Sequence, residues 1–214
     1  MHNLHIVTLA IIAANIIVSL KGFKDFSFFE KYKFNIGGVQ RGEKIRLLSS
    51  GFLHADMIHL FLNMYVLYMF SNIVISSLGV LSFLLIYGAS LLAGSLLSFQ
   101  FNKNNYHYSA VGASGAVMGI VYSAILLYPD MGLIVLIIPM PAWVFGILFL
   151  FYSIYGMKTK TGNIGHDAHF GGAIAGYVLT IIFAPFIMDD NLWIVVLLAI
   201  PIAVLFALKR SGKL

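Results

Sequence analysis

The sequence predicts an all-α, polytopic membrane bundle, and three observations predict it. Of 214 residues, 60% are hydrophobic and only 10% carry charge. Mean hydropathy is +0.94. The apolar residues run continuously instead of alternating every second position, which excludes the dyad pattern of a membrane β-barrel. A chain surrounded by lipid must satisfy its backbone polar groups internally, so long uncharged runs become helices. The composition also excludes a water-soluble domain. With no cysteine there is no disulfide framework, thiolate zinc cluster or catalytic thiol.

Seven stretches approach the ~20 residues needed to cross roughly 30 Å of hydrocarbon: about 4–20, 57–78, 80–100, 114–128, 132–155, 167–188 and 191–208. The first lacks a basic leader and a small-residue exit, so it reads as a retained span and not a cleaved signal peptide. Between spans one and two lies "KGFKDFSFFEKYKFNIGGVQRGEKIR", which mixes Phe23, Phe26, Phe28, Phe29, Tyr32 and Phe34 with Lys21, Lys24, Lys31 and Lys33. Aromatic bodies and snorkelling cations suit the headgroup layer, and an ordinary basic juxtamembrane loop suits the same residues equally well. The fourth span is short. The connections after spans two, four and six are brief and lack lysine and arginine, while all 13 basic residues fall in the first, third and fifth loops and the tail "KRSGK". No linker or tandem repeat divides the chain, which reads as one domain over 1–214.

Polar residues inside the spans are the informative exceptions, because an ionisable group in hydrocarbon costs about 2–3 kcal/mol unless something compensates. Span two carries "HADMIHLFLN", with His59 and Asn63 four apart on one helical face and His54 just before. Span four opens on Gly112, Ala113, Ser114 and Gly115, and span six on "GHDAHFGGAIAG", which sets His169 one turn inside. Even-numbered spans cross in the same direction, so all three polar sets lie at one depth on one side. Gly115 and Gly119 are four apart, as are Ala168, Gly172 and Gly176, and such small-residue grooves let helices four and six touch. That contact brings Ser114 toward His169.

Each piece alone has a plainer explanation. Ser114 reads as a packing residue whose hydroxyl returns to a carbonyl one turn back, and His59 with Asn63 as an interhelical hydrogen-bond pair. Together they describe acyl transfer. A serine hydroxyl needs a base to take its proton, and a neutral imidazole does that and then protonates the departing amine. Ser114 is the candidate nucleophile and His169 the base. The Ser114 backbone N–H, His59 and Asn63 are candidate donors to the oxyanion. Gly112, Ala113 and Gly115 would let a substrate backbone approach. Asp167, two residues from His169 and off its face, reads as a helix cap or a solvated loop charge, so a dyad is expected.

The run "RLLSSGFLH", "HADMIHLFLN", "GASG" and "AHFGGAIAG", in that order on the second, fourth and sixth helices, resembles the rhomboid intramembrane serine proteases over nearly the whole chain. The resemblance implies a six-helix core of about 4–188 with one extra C-terminal helix at about 191–208. It implies Ser114 as nucleophile, His169 as general base, and His59, Asn63 and the Ser114 amide as the oxyanion hole. His54 matches a histidine that often precedes the motif. It further implies cleavage of transmembrane protein substrates without metal, ATP or other cofactor, a first loop equivalent to the family's membrane-embedded hairpin, and, for the prokaryotic type, a multi-pass protein of the inner or plasma membrane. Two positions depart from the pattern. The Trp-Arg pair common before the second helix is Ile45-Arg46, which opens the question of how that loop is anchored. Met118 stands where many members place a tyrosine under the histidine, so the seat of His169 is open too.

The bias of basic loops toward the cytoplasm places the mouth of the site inside the cell and Met1 outside, whereas bacterial rhomboids of the common arrangement do the reverse. Anionic membrane lipids suit the basic surface in either orientation. Three other functions compete. A zinc protease needs a string such as His-Glu-x-x-His, which is missing, and His166 with His169 falls short of a metal site. A non-catalytic rhomboid-like protein that binds or retains transmembrane clients shares the fold, but such relatives usually lack the serine or the histidine. A transporter would show paired broken helices or gating charges, which do not appear. Nucleic acid is not needed to explain the basic balance, since the cations border a bilayer.

Overall fold

Seven helical passes are seen among the residues that the computed structural model describes, which are 4–135, 137–159 and 165–214. In chain order come α1 (Ile6–Lys24), α2 (Phe26–Tyr32), β1 (Phe34–Asn35), α3 (Ile36–Gln40), α4 (Arg46–Ser49), a 3-10 turn (Ser50–Phe52) and α5 (Met57–Asn102). They are followed by β2 (Ser109–Ala110), α6 (Ser114–Leu127), β3 (Gly132–Val135), β4 (Ile138–Pro141), α7 (Ala142–Thr159), α8 (His166–Phe183), α9 (Ile187–Asp190) and α10 (Leu192–Arg210). Among the described residues, α1, α5, α7 and α10 are long and apolar enough to cross a membrane by length and composition alone. Met1 and Lys160 lie outside the described residues.

Run straight, the 46 residues of α5 would span roughly 70 Å, more than twice the hydrocarbon thickness. Gly79 prevents this. Its φ of 82° and ψ of 166° are left-handed backbone that favours glycine, and they break the helix into halves 57–78 and 80–102. His59 in the first half borders Gly112 just before α6, and the Ser90 carbonyl in the second half lies 3.7 Å from where a methyl on Gly115 would sit, so the halves double back on each other. These are the expected spans two and three.

The halves of α5 pack with α6 and α8 as the centre of the bundle. Every residue of α6 from Gly115 to Leu126 is buried, as befits a helix apolar on all sides. The contact between α6 and α8 is made by backbone. A methyl at Gly172 would lie 3.0 Å from Gly115 Cα, and one at Gly119 would lie 3.1 Å from the Gly172 carbonyl oxygen. On the other flank a methyl at Gly94 would lie 2.7 Å from the Ala168 carbonyl oxygen. Where lipid offers no hydrophobic drive between helices, such close approach supplies the packing.

Two expected boundaries are corrected. Span five does not begin at 132: residues 132–135 and 138–141 pair as a hairpin, Gly132 with Pro141 and Val135 with Ile138, and the helix starts at Ala142. Pro139 and Pro141 lack the N–H that a helix interior needs, and the β-branched Ile134, Val135 and Ile138 suit strands. The connection after span four is therefore not brief. Span six ends at Phe183, because Pro185 follows and α9 is a separate turn.

The first loop is a folded layer. Arg46 answers how it is anchored: Nε donates to Glu43 Oε2 at 2.5 Å, while Nη1 donates to the carbonyls of Glu30 (2.7 Å) and Lys33 (2.9 Å). Arg46 first and Arg41 second hold the exposed Glu43 carboxyl below its ordinary range. Phe26, Ile45 and Leu48 remain exposed on this layer. Lys209 at the end of α10 sits 4.3 Å from the Phe101 ring centroid at the end of α5, so Lys209 and Lys103 share one end of the bundle. Asp130 and Asn191 line a cavity of about 450 Å3 at the other.

Candidate active site

Ser114 is the first residue of α6, and the turn before it is fixed atom by atom. Gly112 has φ 128°, a conformation that favours glycine, and its N–H donates to the Ser50 carbonyl at 3.0 Å. The next N–H, on Ala113, donates to His54 Nε2 at 3.4 Å. His54 Nδ1 lies 2.9 Å from Ser19 Oγ on α1, and that hydroxyl donates to the Phe52 carbonyl at 3.0 Å. The hydroxyl proton is thereby spent, so Nδ1 carries the histidine proton and Nε2 accepts, a tautomer assigned from this network. His54 is fully buried in the loop before α5, and burial first, with His59 second, pulls its pKa down to about 3.

His59 and Ser114 flank Gly112. A methyl there would lie 2.7 Å from His59 Cε1, 2.9 Å from His59 Nε2 and 3.7 Å from Ser114 Oγ. The glycine thus keeps open the space between the ring and the hydroxyl. Asp56 caps α5 by accepting from the His59 N–H at 2.8 Å, which fixes the turn that carries the ring. Asn63, one turn on, is 7% exposed and donates from Nδ2 to the His59 carbonyl at 2.9 Å. A primary amide has a second N–H, which that bond leaves over.

Of the three residues expected to admit a substrate backbone, Gly112 alone borders the hydroxyl in this way. Ala113 is fully buried. Gly115 faces α8, where a methyl would lie 3.1 Å from the Ala168 carbonyl oxygen. His169 follows Ala168, so the glycine contact sets the His169-bearing turn of α8 directly against the first turn of α6. His166 and His59 lie near enough for a charge on either to be felt at the His169 ring. Ser114, His59 and His169 are each half-buried. Among the described residues His169 Nδ1 is buried without a hydrogen-bond partner, and Ser114 donates no side-chain hydrogen bond.

Three neighbours were not legible as such. Phe149 of α7 packs on His169 with ring centroids 5.5 Å apart, so an aromatic from another helix braces the imidazole, while Met118 is buried in the core. His166 stacks edge-on between Tyr152 (5.1 Å) and His169 (6.3 Å). Asp167 is neither a solvated charge nor a simple cap. It is 5% exposed and accepts from Asn102, Tyr108 and the Ala168 N–H.

Residues 41–186 match the family model described as a rhomboid domain. Rhomboid protein 1, mitochondrial, of Saccharomyces cerevisiae is 30% identical over 138 residues, covering 62% of this chain and 40% of the relative. RHOMBOID-like protein 12, mitochondrial, of Arabidopsis thaliana is 28% identical over 181 residues, covering 77% of this chain and 54% of the relative. Presenilin-associated rhomboid-like protein A, mitochondrial, of Danio rerio is 28% identical over 153 residues, covering 70% and 40%. The chain spans about half the length of these relatives or less. Their names correct one expectation: they point to a mitochondrial membrane, and not to a prokaryotic inner or plasma membrane. With its helical membrane bundle and a family match that covers more than half of its length, this chain belongs to the rhomboid family.

Proposed function

We propose that this protein is an intramembrane serine endopeptidase that hydrolyses peptide bonds of transmembrane proteins through a Ser114–His169 dyad. The observation that carries the proposal is the backbone contact of Gly115 with Ala168 and Gly172, which places the first turns of α6 and α8 side by side while His59 stands across Gly112 from the Ser114 hydroxyl. In free enzymes the bond between nucleophile and base is often long and tightens only when substrate is bound.

In this mechanism Ser114 Oγ attacks the scissile carbonyl carbon as His169 takes the hydroxyl proton. The carbonyl oxygen becomes an oxyanion, which the Ser114 N–H, the His59 ring N–H and the free Asn63 N–H stabilise. The C–N bond then breaks, and His169 passes its proton to the leaving amine. Water adds to the acyl ester, giving a proton to His169, and the ester C–O bond breaks as His169 returns that proton to Oγ, which releases the acid and restores Ser114. The half-buried state of Ser114, His59 and His169 supports access of that water. Substrates would be transmembrane segments with small, helix-destabilising residues, and anionic lipids would border the basic end of the bundle.

The test is covalent labelling with a fluorophosphonate, followed by peptide mapping. Label on Ser114, lost in both Ser114→Ala and His169→Ala together with cleavage of a transmembrane substrate, is the expected result. A folded protein that takes no label and cleaves nothing would instead be a binder of membrane clients.

A further inference from the structure

Asp167 is a buried carboxylate with no cation within ion-pair distance among the described residues, in a chain where burying a charge is costly unless donors surround it. Three donors do. Asn102 Nδ2, at the end of α5, donates to Oδ2 at 2.5 Å; the Tyr108 hydroxyl donates to Oδ1 at 3.2 Å and stands 3.4 Å from Oδ2; the Ala168 N–H donates to Oδ1 at 2.9 Å. Burial first, and Asp167 second, push the Tyr108 phenol well above its ordinary range, so it remains a donor.

The far side of Tyr108 is equally committed. Its carbonyl accepts from the Ile36 N–H at 3.1 Å and from Asn35 Nδ2 at 3.3 Å, and its ring meets Phe34 edge-on at 6.1 Å. Directly after it comes β2, paired with β1, which leads into Gly112 and Ser114. Asp167 itself stands two residues before His169 in the first turn of α8. One carboxylate thus joins the segment that delivers the hydroxyl to the helix that delivers the imidazole.

We propose that Asp167 is a positioning residue: through Tyr108 and Asn102 it sets the register between the Ser114 segment and the His169 helix. The inference rests on the dyad described above. It assigns Asp167 no proton transfer and no contact with substrate.

The experiment measures kcat and KM for a transmembrane substrate, the rate of fluorophosphonate labelling at Ser114, and the melting temperature in detergent. The variants are Asp167→Ala, Asp167→Asn, Tyr108→Phe, the Asp167→Ala/Tyr108→Phe double and Ser114→Ala. Because a misplacement of 1 Å can cost about 100-fold, Asp167→Ala should lower kcat and labelling by roughly 10- to 100-fold, with KM within about twofold. Asp167→Asn keeps an acceptor oxygen and should recover kcat to within about fivefold of the parent. Tyr108→Phe should lower kcat by about tenfold, and the double variant should fall no further than Asp167→Ala, since both remove one link. If Asp167→Ala does not fold, Tyr108→Phe and Asp167→Asn carry the test.

The proposal is overturned if Tyr108→Phe keeps the parent kcat, if the two single losses multiply in the double, or if Asp167→Asn loses as much as Asp167→Ala in step with melting temperature. An inactive Ser114→Ala beside a normal Tyr108→Phe would defeat this inference alone. A cleaving Ser114→Ala would defeat the dyad.

Discussion

Gly172 of α8 meets Gly115 of α6 backbone to backbone, so closely that a methyl on Gly172 would lie 3.0 Å from Gly115 Cα. Nothing flexible can yield there, because the neighbours of that methyl are main-chain atoms of Gly115. The helices must separate to admit a side chain, and the proposed nucleophile and base ride on the turns that would move. Gly172→Ala is therefore expected to cost about 1–3 kcal/mol as overpacking and to lower cleavage at least tenfold. Gly88→Ala, on α5 with nothing within 4 Å, should be neutral or slightly stabilising. Melting curves and cleavage rates of the pair check this; equal behaviour would refute the contact.

The donors around the proposed oxyanion should act on the transition state more than on the bound substrate. His59→Ala and Asn63→Ala are each expected to lower kcat by about 100-fold, near 3 kcal/mol, with little change in KM. Asn63→Ala also removes the bond to the His59 carbonyl, so its melting temperature should fall somewhat. Steady-state kinetics decide the matter, and a change confined to KM would argue for a substrate-binding role.

Phe149 should matter more than its place on a lipid-spanning helix suggests. Its ring lies 5.5 Å from that of His169, and such pairs contribute about 0.5–1.5 kcal/mol beyond their buried area. Phe149→Ala is expected to slow labelling of Ser114 several-fold, with Phe149→Tyr close to the parent. Labelling rates that ignore residue 149 would show that the imidazole is held otherwise.

His54 predicts a pH dependence. Its folded pKa is lowered to about 3 from an ordinary 6.5, so the unfolded chain takes up the proton first. The contribution is fully present above pH 6.5 and is lost as pH falls toward 3, by at most about 1.4 kcal/mol per pH unit. Protonation also ends acceptance from the Ala113 N–H. Melting temperature in detergent should drop between pH 6.5 and 4, and His54→Gln should start lower but respond less. An identical slope in the variant would assign the titration to another group.

Much of the bundle was legible because lipid simplifies the chemistry. Continuous apolar runs have one way to satisfy their backbone, and the spacing of Gly115, Gly119, Ala168, Gly172 and Gly176 named the helix pair that meets. The β3–β4 hairpin is hidden in the sequence because Ile134, Val135 and Ile138 are as greasy as a helix, and hydropathy does not register the missing N–H of Pro139 and Pro141. Ser114, His59 and His169 were recognisable as rare polar residues at a common depth. Asp167 and Phe149 were not, since their roles depend on which helices lie beside α8, and no local spacing encodes that. The cellular setting lay wholly outside residue chemistry and was corrected by the relatives' names.

The break at Gly79 lies at the far end of the first half of α5 from the turn bearing His59, and a side chain there would meet nothing within 4 Å. The two arms of that helix are therefore long levers with an uncrowded pivot. Each arm is about 33 Å long, so a swing of about 5° at the pivot displaces the far tips by about 3 Å, roughly the width of a water molecule. A change of angle at Gly79 would therefore be felt most at the turn that carries His59.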